Sequence, residues 1–242
     1  MREDHEAPRT AETAPARQVP ASIIAIDGPV ASGKTAVGLK LARQLGYRLV
    51  DTGMIYRAIT WLALDRGLDI EDEAAVTSLA ESDRIALGSL GEGDRTTVSA
   101  DGRDISDELR SPAVDRSVSY VSRMAGVRRA TVELQRAFAR EGRIIMLGRD
   151  IGSVVLPDAP VKIYLDATPA ERARRRYLEL SAAGVERPLA EIMSELAQRD
   201  EMDRQRHVSP LKPAADAIIL DTDGLSLEEV VARVGEIIGI QP

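Results

Sequence analysis

The fold is decided by the stretch Gly28-Pro29-Val30-Ala31-Ser32-Gly33-Lys34-Thr35. Two glycines with four residues between them, followed by a lysine and a hydroxyl residue, fit the pattern of a phosphate-binding P-loop. The glycines let the backbone turn tightly and point several N–H groups at phosphate oxygens, and the positive end of a following helix adds to that attraction. We predict that this stretch holds nucleotide phosphates, with Lys34 on the β and γ oxygens and the Thr35 hydroxyl on Mg²⁺.

The residues on either side of the loop provide the setting that phosphate binding requires. Residues 22–27 form a short apolar run, as expected of a buried parallel strand. Residues 34–45 place Val37, Leu41 and Leu45 on one face, which indicates a helix. A plain glycine-rich turn between a strand and a helix is the alternative interpretation of the same motif.

Strands and helices alternate along the rest of the chain. Strand-like apolar runs lie at 48–50, 143–147, 161–165 and 217–220, and helical patterns lie at 55–65, 71–81, 111–141 and 188–204 and after the capping residues Thr168 and Ser226. This alternation predicts an α/β fold, a parallel five-stranded sheet with helices on both faces. Residues 84–107 differ, because strand-like segments and an Asp101-Gly102 hairpin signal predict a small antiparallel β insert there.

Composition excludes several classes of protein. The 242 residues include no cysteine, which excludes disulfides and thiolate metal sites. The two histidines lie too far apart in sequence to suggest a metal cluster. No apolar run reaches the ~18 residues of a membrane helix, and the N-terminus lacks the apolar segment of a secretory signal, so we expect a cytoplasmic protein. A net charge of −7 and 3% aromatic residues argue against a nucleic-acid polymer as partner.

Arginines are nevertheless concentrated in two parts of this acidic chain. Eight lie from Arg116 to Arg149, and four more are Arg172, Arg174, Arg175 and Arg176. Such clusters indicate binding of compact anions such as phosphates. A solvated helical face is the alternative interpretation.

A second group of polar residues follows the predicted strands. Asp51-Thr52-Gly53 comes after the second strand and Gly148-Arg149-Asp150 after the third, and ligands gather at the carboxyl ends of parallel strands. Further on, Arg199, Asp203 and Arg206 have the spacing that shares one helical face. Thr52 and Arg57 are therefore placed to meet a second anion, and Arg149 and Asp150 add a guanidinium and a carboxylate at the same edge. Asp203, between two arginines, could accept hydrogen bonds from sugar hydroxyls. Structural turns and a surface ion-pair ladder are the alternatives.

Taken together, these motifs resemble the bacterial cytidylate kinase family, over residues 22 to about 238. The resemblance rests on Ile26-Asp27-Gly28-Pro29, on 51–57 (Asp-Thr-Gly-Met-Ile-Tyr-Arg), on 148–152 (Gly-Arg-Asp-Ile-Gly), on 155–158 and 161–166, and on Arg199-Asp200-x-x-Asp203-x-x-Arg206. It implies a P-loop nucleoside-monophosphate-kinase fold with a helical lid, ATP as phosphate donor, Mg²⁺, and CMP or dCMP as acceptor. It also implies a monomer.

The resemblance further implies roles for particular residues. Lys34 would be catalytic. By similarity, Arg57, Arg149 and Arg206 would hold the CMP phosphate, with Thr52 nearby. Ser119, Arg128 and Asp150 would bind the cytosine, and Arg199 and Asp203 the ribose hydroxyls. A mobile lid with the catalytic arginines Arg172, Arg175 and Arg176 would cover the ATP phosphates. The corresponding organisation is a disordered tail (1–21), core with P-loop (22–83), CMP-binding insert (84–140), core (141–167), lid and helical segment (168–206) and core (207–242).

Base chemistry agrees with cytosine as the ligand. A carboxylate such as Asp150 accepts from the exocyclic amine of cytosine, and Arg128 donates to its acceptors. Two positions depart from the family pattern: Ala36 stands where Thr is frequent, which leaves open which hydroxyl contacts Mg²⁺, and Thr52 stands where Ser is common.

Two other functions remain compatible with the residues. One is a kinase of the same architecture with another acceptor, such as UMP, AMP or a shikimate-like alcohol. The other is a regulator that binds ATP without transferring phosphate, although such a protein has no need of the acceptor-side arginines.

Overall fold

The computed structural model describes residues 22–82, 85–90 and 96–240, and the predicted tail lies outside them. The strands and helices in chain order are β1 (Ile23–Asp27), α1 (Lys34–Leu45), β2 (Arg48–Asp51), α2 (Gly53–Asp65), α3 (Glu73–Ala80), β3 (Ile85–Leu90), β4 (Thr96–Ala100), β5 (Arg103–Asp104), α4 (Pro112–Val121), α5 (Ala125–Ala139), β6 (Ile144–Gly148), β7 (Val161–Asp166), α6 (Pro169–Ala182), α7 (Leu189–Arg204), β8 (Ile218–Asp221) and α8 (Leu227–Ile237). A 3₁₀ turn spans Glu108–Arg110, and a single π-helical turn spans Ile151–Val155.

Five strands form one parallel sheet, which confirms the predicted architecture. The strand order is β2-β6-β1-β7-β8. In the centre of the sheet, Asp27 pairs with Gly148 on one side and with Tyr164 on the other. The carboxyl ends of β1, β2 and β6 therefore meet at one edge, where the chain continues into the segments proposed to bind phosphate.

Helices cover both faces of this sheet. Ile24 and Ile26 of β1 pack against α1 and α8 on one face. Ala25 and Met146 pack on the other face against Ala139 of α5 and the π-helical turn. Alternate residues of a strand point to opposite faces, so a near-continuous apolar strand is what two covered faces require.

The predicted antiparallel insert is a three-stranded sheet in the order β3-β4-β5. Its second hairpin turns at Asp101 and Gly102, which both have positive φ, so Ala100 pairs with Arg103. Positive φ at both central positions is typical of the tight hairpin turn that an Asp-Gly pair favours. The insert shares one apolar cluster with α2, α3, α4 and α5, and α2 thereby connects it to the core sheet.

Helices α6 and α7 form an antiparallel hairpin beside the P-loop. The start of α6 follows the predicted pattern, since the Thr168 hydroxyl accepts from the Glu171 N–H and Pro169 takes the first helical position. Ala173 packs against Ile192 and Leu196 between the two helices. None of the helices in the described part of the chain is long and apolar enough to span a membrane.

Candidate active site

The P-loop connects the end of β1 with the start of α1. Gly28 has a φ of 150°, and a Cβ added there would lie 2.1 Å from the carbonyl oxygen of Leu165. Only glycine allows the loop to approach β7 this closely. At the other end of the loop, Gly33 has a φ of 91° and precedes the first residue of α1. The two glycines of the motif therefore have different structural roles: Gly28 allows the close contact with β7, and Gly33 adopts the positive φ that precedes α1.

The side chain of Lys34 reaches back into the P-loop that precedes it. Its Nζ donates to the Pro29 carbonyl at 2.6 Å and to the Ser32 hydroxyl at 3.2 Å. Burial, and then the nearby positive charge of Arg149, lower the pKa of Lys34 well below its usual value. Phosphate oxygens at this position would supply the negative charge that favours the protonated form.

The Thr35 hydroxyl lies beside the carboxylate of Asp51, the last residue of β2. Its Oγ1 donates to Oδ2 of Asp51 at 3.2 Å. A hydroxyl and a carboxylate are the hard oxygen donors that suit Mg²⁺, which takes few protein ligands and binds substrate phosphates as well. These two residues fit the ion, and Asp51 had no role in the sequence-based prediction.

A pocket at the same edge of the sheet brings most of the predicted acceptor residues together. Its predicted members are Thr52, Arg57, Arg128, Arg149, Asp150, Arg199, Asp203 and Arg206. The remaining predicted residue, Ser119, is buried but does not line this pocket. One helical turn later, Ser122 does line it, and the Ser122 hydroxyl donates to the Ser119 carbonyl at 3.3 Å.

The part of this pocket nearest α7 is rich in cations arranged around one carboxylate. Asp203 is buried, accepts from Arg149 Nε at 3.1 Å, and also accepts from Arg206. Burial, and then Arg149, lower the pKa of Arg199 to about 10, while burial lowers the pKa of Arg206. The burial of Asp203 and its pairing with Arg149 of another segment argue against a surface ion-pair ladder. An excess of closely spaced guanidinium groups favours binding of an anion.

The opposite part of the pocket is a buried polar network. Arg128 pairs with Asp150, with side-chain exposures of 2% and 5%, and lies over the Tyr56 ring at 5.4 Å. The Tyr56 hydroxyl accepts from Thr131 at 3.0 Å and from Gln135 at 3.4 Å. Buried hydrogen-bonded networks fix side-chain positions, so Arg128 and Asp150 are held in place at the pocket.

Arg57 lies at the rim of the pocket on α2. It donates to the Leu109 carbonyl at 2.8 Å and to Asp115 at 2.6 Å. Asp115 also lies 3.7 Å from Arg176 of α6. This carboxylate thus links one predicted acceptor arginine with one predicted lid arginine.

The other two predicted lid arginines contact the P-loop itself. Arg172 is buried, pairs with Asp200 at 2.6 Å and donates to the Val30 carbonyl at 3.2 Å. Arg175 is partly exposed and donates to the Ser32 carbonyl at 3.4 Å. Arg175 also donates to the carbonyl and hydroxyl oxygens of Thr222. Helix α6 therefore presents two guanidinium groups to backbone carbonyls of the P-loop.

The P-loop and the arginine-rich pocket adjoin each other. Arg149 and Asp203 of the pocket are close enough to shift the pKa of Lys34, in opposite directions. Thr52, which begins α2 beside the pocket, donates to the Leu147 carbonyl at 2.8 Å and so ties α2 to β6. The P-loop and the arginine-rich pocket therefore lie side by side, as transfer of a phosphoryl group between them would require.

Comparisons with known proteins identify the family of the chain. A family model described as cytidylate kinase matches residues 24–239. A cytidylate kinase of Desulfitobacterium hafniense is 48% identical over 211 residues, covering 87% of this chain and 90% of that protein. One from Pelotomaculum thermopropionicum is 45% identical over 211 residues, covering 87% and 93%. Among solved structures, the shikimate kinase of Bacteroides thetaiotaomicron aligns with a TM-score of 0.46 at 15% identity, covering 91% of this chain and 99% of that one, and this likeness carries no argument about the substrate. The chain belongs to the cytidylate kinase family.

Proposed function

We propose that the protein transfers the γ-phosphoryl group of ATP to CMP, giving ADP and CDP, and that it accepts dCMP as well. Family membership supports both the reaction class and the acceptor. The structural observation that carries the proposal is the arginine-rich pocket beside the P-loop, at the common carboxyl edge of β1, β2 and β6. A regulator that only binds ATP has no use for this second anion site.

In the proposed reaction an oxygen of the CMP phosphate attacks the γ-phosphorus in line. A new bond forms from that oxygen to phosphorus, and the bond from phosphorus to the bridging oxygen of ADP breaks. The attacking oxygen is already anionic near neutral pH, so catalysis consists of positioning and charge neutralisation. The backbone amides of the P-loop and Lys34 hold the donor phosphates, while Arg57, Arg149 and Arg206 hold the acceptor phosphate, with Thr52 nearby.

Thr35 and Asp51 are the residues proposed to hold Mg²⁺. The ion would add positive charge beside the β- and γ-phosphates. The Thr35–Asp51 contact supports this assignment over one through a later hydroxyl, since the next position is Ala36.

The base and the sugar are proposed to bind in different parts of the same pocket, with the sugar between the base and the acceptor phosphate. Asp150 accepts from the exocyclic amine of cytosine, Arg128 donates to its ring acceptors, and a hydroxyl from the end of α4 contributes. Ser119 was predicted for that hydroxyl, and the pocket position of Ser122 makes it the second candidate. Arg199 and Asp203 are proposed to hold the ribose hydroxyls.

The α6 arginines are proposed to neutralise charge on the transferred group when the α6–α7 hairpin closes as a lid. Arg175 and Arg176 are partly exposed and are suited to contact the phosphates. Arg172 is 2% exposed and is bound by Asp200 and the carbonyls of Ala167 and Val30, so it is proposed to stabilise the P-loop rather than to contact the phosphates. Action as a monomer in the cytoplasm stays a prediction.

An acceptor screen tests the proposed function. ADP release from ATP·Mg²⁺ is followed by a coupled assay with CMP, dCMP, UMP, AMP or shikimate as acceptor. CMP and dCMP are expected to give kcat/KM values at least about a hundredfold above UMP, because a buried carboxylate facing a carbonyl is strongly disfavoured. A best acceptor outside the cytidine nucleotides, or ADP release independent of any acceptor, would contradict the proposal.

A further inference from the structure

Asp27 is a buried carboxylate whose side chain accepts hydrogen bonds from residues remote in sequence. It ends β1, immediately before the P-loop, and is 4% exposed. Its two oxygens accept from the backbone N–H groups of Ile151 and Gly152, each at 2.8 Å. Burial raises the pKa of Asp27 to about 6, with Asp150 adding to the rise and Lys34 opposing it. The group is therefore ionised at pH 7.5, and both oxygens accept.

The two amides that Asp27 binds belong to the start of the π-helical turn Ile151–Val155. First-turn amides of a helix have no partner within the helix and are commonly bound by the side chain of the preceding capping residue. Here that preceding residue is Asp150, which makes no capping hydrogen bond. Its carboxylate instead pairs with Arg128 in the arginine-rich pocket, called the acceptor pocket from here on because it is the proposed site of CMP.

We propose that Asp27 is a positioning residue that caps this turn from a neighbouring strand and thereby keeps the Asp150 carboxylate in the acceptor pocket. Without Asp27, the free amides of Ile151 and Gly152 would attract the carboxylate of Asp150, since an aspartate is among the preferred caps of its own helix. Asp150 would then turn away from Arg128 and from the base. This inference rests on the proposed function, and it assigns base selectivity to a residue that does not line the pocket.

The same contact joins the donor and acceptor sites. Asp27 directly precedes Gly28 of the P-loop, and the amides it binds directly follow Arg149 and Asp150. Ile26 and Asp27 also pair in register with Leu147 and Gly148 of β6. The spacing between the two anion sites is thus fixed by a strand pairing and by one carboxylate.

The test uses Asp27→Asn in the full chain. The side-chain amide keeps one acceptor oxygen but presents an NH₂ group to the second backbone N–H, so one turn amide loses its partner. The KM for CMP is expected to rise about tenfold and the CMP-to-UMP ratio of kcat/KM to fall by a similar factor, while the ATP dissociation constant changes less than about threefold. Asp27→Ser, which is small and keeps one oxygen, serves the same comparison if Asp27→Asn unfolds below the assay temperature.

Two comparisons separate this role from general destabilisation. The control is Asp72→Asn. Asp72 also accepts from two backbone N–H groups, but it lies at the exposed start of α3 and does not line the acceptor pocket. This variant should leave the CMP-to-UMP ratio of kcat/KM unchanged. In an Asp150→Asn background, Asp27→Asn should change that ratio less than about twofold, because both variants act on one interaction.

The outcomes distinguish failure of the inference from failure of the proposed function. A wild-type protein that does not phosphorylate CMP overturns the function. A wild-type protein that does so, together with an Asp27→Asn variant of unchanged selectivity, or one whose ATP and CMP affinities fall equally, overturns the positioning role alone.

Discussion

Lys34→Met is expected to slow phosphoryl transfer by on the order of a thousandfold, in the range seen when one preorganised group that stabilises transition-state charge is removed. The ammonium group lies inside the P-loop, on the Pro29 carbonyl and the Ser32 hydroxyl, where the β- and γ-phosphates would bind. A methionine has similar length but no charge. Because the lysine is buried, its replacement by an apolar side chain should leave the thermal unfolding midpoint close to that of the wild type.

Steady-state turnover with saturating ATP and CMP, together with thermal unfolding, measures this effect. The matched control is Lys40→Met in the same helix, since Lys40 is an exposed residue paired with Glu228 on α8. Exposed pairs contribute little to stability, so the control should keep full activity. Turnover by Lys34→Met within tenfold of the wild type would show that the loop does not act on the transferred phosphate.

Asp150→Asn is expected to lower kcat/KM for CMP about a hundredfold and to raise the relative use of UMP. A carboxylate accepts from the cytosine amine, whereas a side-chain amide also donates to the carbonyl that uracil presents at that position. Asparagine keeps the shape of the side chain. The buried charge of Arg128 nevertheless loses its partner, and breaking such a pair costs about 3–5 kcal/mol of stability.

The ratio of kcat/KM for CMP to that for UMP measures the selectivity, because a loss of folded protein lowers both values together. ATP binding, measured by titration calorimetry, should change little. Asp101→Asn is the control, since Asp101 also pairs with an arginine, Arg66, at 2.7 Å, but on the surface. An unchanged CMP-to-UMP ratio in Asp150→Asn would remove Asp150 from base recognition.

Much of the fold could be predicted because its signals are local. The bounds of α1 follow from the apolar face of residues 34–45 and from the glycines at either end. The caps at Thr168 and Ser226 start α6 and α8 as predicted, the second through a reciprocal capping box with Glu229. The hairpin at Asp101-Gly102 likewise depends on two adjacent residues.

The acceptor pocket could be predicted in outline because strand ends converge by topology. Residues after β2 and β6 must lie near the P-loop, because these two parallel strands lie on the same side of β1 in the sheet. The spacing of Arg199, Asp203 and Arg206 places them on one face of α7 and the turn after it. The position of Ser122 in the pocket could not be predicted, because the orientation of α4 relative to the pocket depends on packing across the insert.

The contacts of Asp27, Asp51 and Tyr56 could not be predicted because their partners are remote in sequence. Asp27 binds amides 124 and 125 residues away, and the Tyr56 hydroxyl accepts from residues 75 and 79 positions away. Asp27 and Tyr56 lie within motifs on which the family resemblance rests. Each is a polar residue to which no role was assigned there, and that was the signal in the sequence that could have identified them.

Binding of a bisubstrate compound is the most direct test of two adjoining anion sites. The compound joins adenosine and cytidine through five phosphates, and titration calorimetry with Mg²⁺ measures its affinity and stoichiometry. If the two sites adjoin, one molecule binds per chain, with an affinity at least about tenfold above that of ATP or CMP alone, and either nucleotide displaces it. An affinity no higher than that of ATP, or displacement by only one of the two nucleotides, would contradict adjoining sites.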